Sequence, residues 1–203
     1  MNRKTGRDLE PSLALQWSRL APGIVFLLAL AVRLAFIVWR GPVIAPDSAG
    51  YLTLARNVVA HGIFSLDTAA PFTSSIRRAP LYPGFLALFE WFGLGPTAVA
   101  SLQAMIDAGV AVAVVALARE TGGRRWAGSA GAMYAVHPGA VLASATLLSE
   151  AVFTALLAGS AWSLAVGLQR NRLRLVAIAG AGLALATLCR PIALLLPAAI
   201  AML

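Results

Sequence analysis

The chain has 203 residues, of which 60% are hydrophobic and 12% charged, and a net charge of +8. With a mean hydropathy of +0.81 it holds too little polar surface to cover a soluble globule, which excludes a soluble enzyme and points to an integral membrane protein. The arginines fall in short clusters between apolar runs, a positive-inside pattern rather than a nucleic-acid footprint.

The N-terminal stretch carries Arg3, Lys4 and Arg7 ahead of an apolar run that starts at Ala21. The run is too long for a signal-peptide core, and Pro46 follows the candidate cleavage residue Ala45, so an uncleaved first span is expected. Further apolar runs lie at 97–118, 127–146, 150–168 and 175–203; with 21–39 they make about five candidate spans, each near the ~20 residues needed to cross ~30 Å of hydrocarbon. The run at 81–95 contains Glu90 and would reach only ~22 Å at ~1.5 Å per residue. If it does not span, the N-terminus, 119–125 and 169–174 all face the cytoplasm, as positive-inside topology requires. The expectation is therefore an all-α polytopic protein of one transmembrane domain over 1–203, in the plasma (inner) membrane, with its N-terminus cytoplasmic. Its first external loop, about 41–96, carries interfacial amphipathic helices. Because the sequence stops at Leu203 inside an apolar run, it reads as the N-terminal part of a longer protein.

Within that loop Tyr51, Leu52, Leu54, Ala55, Val58 and Val59 recur at helical spacing, with Thr53, Arg56 and Asn57 assigned to the other side; His61 and Gly62 mark the helix end. Tyr82, Phe89 and Trp91 suit the headgroup level. Cys189 is the only cysteine, so neither a disulfide framework nor a cysteine metal knuckle is available.

Away from the cytoplasmic clusters the charged residues are few and unevenly distributed. Asp47, Asp67, Arg77, Arg78 and Glu90 lie in the external loop, and Glu150 opens the fourth span at its outer end. Arg33, ~10 Å below the outer surface, and Arg190, ~22 Å along the fifth span, fall in the outer half of the membrane. Charges within a span are costly and mark a cavity or a partner. Carboxylates above and guanidinium groups below suit an anionic lipid head worked on by a general base.

Each residue also has a plainer reading. Asp47 suits a helix N-cap, Glu150 a first-turn acid with Ser149 as cap, and Arg190-Pro191 a kinked helix end. Asp107, with Gln103 one turn away, suits a structural partnership with Arg33. His137-Pro138 marks a kink, Tyr51 and Tyr82 suit the interface, and Gly180 with Gly182 suggest close helix packing.

The segments "PDSAGYLTLARNVVAHGIFS", "RRAPLYPGFLALF", "LLSEAVFTALL" and "LCRPIALLLP", in this order, resemble the N-terminal half of the GT-C membrane glycosyltransferases. The resemblance is strongest to family 39-like enzymes akin to protein O-mannosyltransferases and lipid A aminoarabinose transferases. It implies a polyprenyl-phosphate-sugar donor, a lipid, glycan or protein acceptor at the outer face, and Asp47 as the catalytic acid/base group. Ser48 stands where many relatives carry a second acid. An inverting displacement needs a base and cations for the leaving phosphate, roles that Asp47 and then Arg78 and Arg190 suit, with Tyr51, Arg77, Tyr82 and Glu150 as candidate site-lining residues. The sequence requires no cofactor; a divalent metal is compatible with it but unsupported. A carrier or flippase of a lipid-linked substrate, and an inactive fragment, are the rival readings.

Overall fold

The structure is a computed structural model that describes residues 9–196, with side chains from residue 20 onward. Eight helices follow one another: α1 (Leu9–Arg40), α2 (Pro46–His61), α3 (Leu81–Trp91), α4 (Pro96–Glu120), α5 (Ala127–Ala135), α6 (Pro138–Ala145), α7 (Glu150–Gln169) and α8 (Leu173–Cys189). A 3-10 turn over Pro191–Leu195 ends the described chain, and no strand occurs among the described residues. The protein is an all-α polytopic membrane protein. Three stretches, Leu20–Arg40, Pro96–Glu120 and Glu150–Gln169, are long and apolar enough to cross a membrane, and Leu173–Cys189 is a shorter apolar helix. The end of the apolar run at 175–203 lies outside the described residues.

Helix α4 forms the centre, packing against α1, α5, α6 and α7, while α7 and α8 form a hairpin. At Gly182 in α8 an added Cβ would run into Ser160 Oγ of α7, which would have to turn aside. Gly180 has open space around it, so only one glycine of the expected pair makes a close approach.

The run at 127–146 is not one helix. Pro138 has no N–H and drives the preceding residue out of the α region; His137 is extended at φ −64°, ψ 119°, and its ring nitrogen accepts from Ala140 N at 3.2 Å to cap α6. The expected kink is thus a full break. Such a break strands backbone carbonyls at membrane depth, where each needs a protein donor. At this break Arg33 Nη1 donates to Ala135 O (2.8 Å); at the other end of α6, Gln103 Nε2 donates to Ser144 O (3.1 Å) and Thr146 O (2.7 Å).

Arg33 is wholly buried. Its Nε lies 2.6 Å from Asp107 Oδ2, its Nη1 also reaches Ala29 O at 3.0 Å, and Tyr134 donates to Asp107 Oδ1 at 2.7 Å. The expected partnership of Arg33 and Asp107 is therefore present, and it removes Arg33 from the charges available to a ligand.

After α6 the chain runs beside the exit of α1: Val43 N donates to Ala145 O (2.9 Å) and Leu147 N to Val43 O (3.0 Å). This tie fixes the start of α2 near the start of α7. The two ends that carry Asp47 and Glu150 are thereby held in register.

Candidate active site

Gly41, at φ 75° in the left-handed region that glycine tolerates best, terminates α1. Pro46 then opens α2 at a position where its missing N–H costs nothing. Asp47 is in the first turn of α2 and is not its cap. Ala45 takes that position, and Ser48 Oγ accepts from Ala45 N at 2.9 Å. Ser48 is fully buried, so the position next to Asp47 faces the packing side of α2. The helix ends as the sequence indicates, with Gly62 at φ 66° and its N–H bonded to Val58 O. Asn57 differs from expectation: it is buried and donates to Ser65 O (2.8 Å) and Asp67 O (2.9 Å), because the loop after α2 folds back over it.

The freed Asp47 carboxylate meets Arg78, with Nη2 2.7 Å from Oδ1. The guanidinium also lies 5.0 Å from the centre of the Tyr51 ring, one helical turn beyond Asp47. The Arg78 hydrogen bond, then its charge, hold the Asp47 carboxyl below its ordinary 3.8, and the same bond raises Arg78. Tyr51 packs edge-on against Tyr82, their ring centres 5.0 Å apart. Tyr82 itself is fully buried and donates to Gln103 Oε1 at 2.7 Å, which corrects both its interfacial and its site-lining assignment: it stands behind Tyr51 and ties α3 to α4. Trp91 is well exposed.

The second half of the site comes from the α7–α8 hairpin. Pro191 keeps Arg190 out of the helix; the residue is extended at φ −144°, ψ 116°, and its side chain leaves the α8 axis. Its Nη1 lies 3.0 Å from Glu150 Oε1 at the first residue of α7, and its Cζ lies 5.7 Å from the Phe153 ring centre. Helix ends favour this pairing, an acid at the N-terminus of α7 beside a cation at the C-terminus of α8. Ser149 sits at the N-cap position of α7 but its hydroxyl makes no capping bond.

Between the halves lies a groove of about 500 Å³ lined by Tyr51, Arg77, Arg78, Phe153, Arg190 and Ile192, among others. It brings together Arg78 and Arg190, with Asp47 and Glu150 paired to them at its edges. Glu90 and Asp67 stand elsewhere. Glu90 makes a loose, exposed pair with Arg56 at 3.7 Å, and Asp67 organises its own loop by accepting from Thr73 N and Thr73 Oγ1, both at 2.7 Å. Sequence reasoning missed Phe153 and Ile192. Phe153 carried a signal, since it follows Glu150 by three residues on one helix face; Ile192 carried none. Among the described residues no group of three or more His, Cys, Asp or Glu is placed to hold a metal ion.

Arginines and carboxylates of this helical membrane protein thus converge on one groove. Residues 77–203 match the family described as dolichyl-phosphate-mannose-protein mannosyltransferase, and the chain belongs to that family of membrane glycosyltransferases, which use polyprenyl-phosphate sugar donors. The matched span contains Arg77, Arg78, Tyr82, Glu150 and Arg190 and begins after Asp47 and Tyr51. Neither curated proteins nor solved structures gave a match.

Proposed function

We propose that the protein transfers a sugar from a polyprenyl-phosphate donor to a hydroxyl acceptor at the outer face of the membrane, with the groove as the donor site. The observation that carries this reading is the meeting of Arg78 and Arg190, from the external loop and the end of α8, on one groove that Asp47 borders. The basic clusters at 119–125 and 169–174 follow the far ends of α4 and α7, and the positive-inside tendency of such clusters supports a groove that faces outside.

In this reading Arg78 and Arg190 grip the donor phosphate, and Asp47 takes the proton of the acceptor hydroxyl. The acceptor oxygen bonds to the anomeric carbon as the bond from that carbon to the phosphate oxygen breaks, leaving polyprenyl phosphate. The free-state pairing gives a sequence to these events. While Arg78 holds Asp47, the carboxylate is a weak base; once the phosphate takes over Arg78, its main depressing influence is gone and its proton affinity rises. The break between α5 and α6 is the kind of discontinuity carriers use at a substrate site, but here Arg33 occupies the Ala135 carbonyl that it leaves.

The test is Arg78→Lys and Arg190→Lys in the full chain, assayed with a labelled polyprenyl-phosphate sugar. Each replaces a two-pronged grip with a point charge, so kcat/KM should fall about tenfold or more, the loss of one charge-assisted bond of roughly 1.5 kcal/mol. Unchanged kcat/KM in both variants would remove the phosphate-binding assignment.

A further inference from the structure

The two arginine–carboxylate pairs deep in the bundle and at the groove differ in kind. Arg33 and Asp107 are closed off from solvent, and Arg33 donates besides to two backbone carbonyls, a permanent structural bond. Arg190 and Glu150 are 40% and 34% exposed, and their contact is a single one at 3.0 Å. Glu150 Oε2 is buried with no hydrogen-bond partner. A carboxylate that holds its arginine by one oxygen only, in a pair open to water, binds it weakly enough for an incoming anion to compete.

Resting on the donor-site reading above, we propose that Glu150 is a place-holding anion. In the empty enzyme it keeps Arg190 turned into the groove; it yields that arginine to the donor phosphate and reclaims it to expel the polyprenyl phosphate product. Glu150 is thus a positioning residue and touches no reacting atom.

The charges follow the reaction. Arg77, Arg78 and Arg190 against Asp47 and Glu150 leave the groove with one net positive charge, the counter-charge of a phosphodiester donor. Transfer turns the diester into a monoester, which carries about −1.5 to −2 at neutral pH, and delivers the acceptor proton to Asp47. The groove then carries two positive charges and holds the product well. When Asp47 loses its proton to water, the groove returns to one, and Glu150 competes again for Arg190. With its ionised carboxylate gone, Arg190 is free to stay on the phosphate, and the product leaves more slowly.

The experiment compares wild type and Glu150→Gln, as full chains in lipid nanodiscs, by titration with a polyprenyl monophosphate and by steady-state transfer from the labelled donor. Expected for Glu150→Gln are about two- to fivefold tighter binding of the monophosphate, the range an exposed ion pair supports, and a fall in both donor KM and kcat. Binding by wild type with equal or weaker binding by Glu150→Gln overturns the place-holder role and leaves the donor site standing. Absence of monophosphate binding by wild type overturns both. If Glu150→Gln does not fold, Glu150→Asp, whose carboxylate is drawn back from Arg190 by one methylene, takes its place: tighter binding is again expected, and equal or weaker binding refutes the role.

Discussion

Replacing Asp107 with Asn tests the assignment of the Arg33 network to structure. Arg33 is wholly buried within the bundle, and its only anionic partner among the described residues is Asp107, at 2.6 Å from Nε. Asp107→Asn keeps the shape but leaves a buried, uncompensated guanidinium, a loss of about 3–5 kcal/mol. At roughly 2–4 °C per kcal/mol for a chain of this size, the melting temperature in detergent should fall by roughly 6–20 °C. Arg33→Met combined with Asp107→Leu removes both charges and so restores most of that loss. It does not restore all of it, because Ala135 O and the Tyr134 hydroxyl lose their partners, at about 1–3 kcal/mol for a buried polar group left unpaired. The double variant should therefore melt above Asp107→Asn and below wild type. A single variant within about 1 kcal/mol of wild type, or a double variant no better than the single, would refute the reasoning.

Pro191→Ala restores an N–H and frees Arg190 to join α8, turning its guanidinium away from the groove; donor kcat/KM should drop roughly 10²-fold, the effect of misplacing a binding group by about 1 Å, with helix content unchanged by circular dichroism. Retained kcat/KM would show that Pro191 does not position Arg190. Asp67 is held below its ordinary 3.8 chiefly by the Thr73 backbone N–H. A group depressed in the folded state stabilises it above the unfolded value and loses that contribution as pH falls through the folded value. Wild type should thus melt above Asp67→Asn near neutral pH, and the gap should close below about pH 4; a gap that widens on acidification would contradict the assignment.

The class and the outline of the site were legible in the sequence because the membrane imposes long apolar runs and makes charges rare. Long runs gave α1, α4 and α7, and the misplaced charges gave Asp47, Arg78, Glu150 and Arg190 before any contact was known. What local pattern could not supply was direction. Nothing around Asn57 says that a distant loop returns to its amide, and nothing around Tyr82 says that Gln103 accepts its hydroxyl and draws it inward. Both residues are polar ends on amphipathic helices, and only tertiary packing decides which way such an end points. Pro138 announced an interruption, yet whether it kinks or breaks the helix depends on whether a donor stands ready for the stranded Ala135 carbonyl, and Arg33 lies on another helix. Asp47 is the converse case: a residue type that caps helices is free of capping because α2 starts one residue earlier, at Pro46, which makes Ala45 the cap.

Asp47→Asn in the full chain tests whether Asp47 is the base of the proposed sugar transfer from a polyprenyl-phosphate donor. Transfer from the labelled donor should fall about 10²–10⁴-fold in kcat, the contribution of a positioned general base. The melting temperature should hold, because the pair with Arg78 is largely exposed, and donor KM should stay level or fall as Arg78 loses its competing anion. Transfer within about tenfold of wild type, well short of that contribution, would remove Asp47 from the base role.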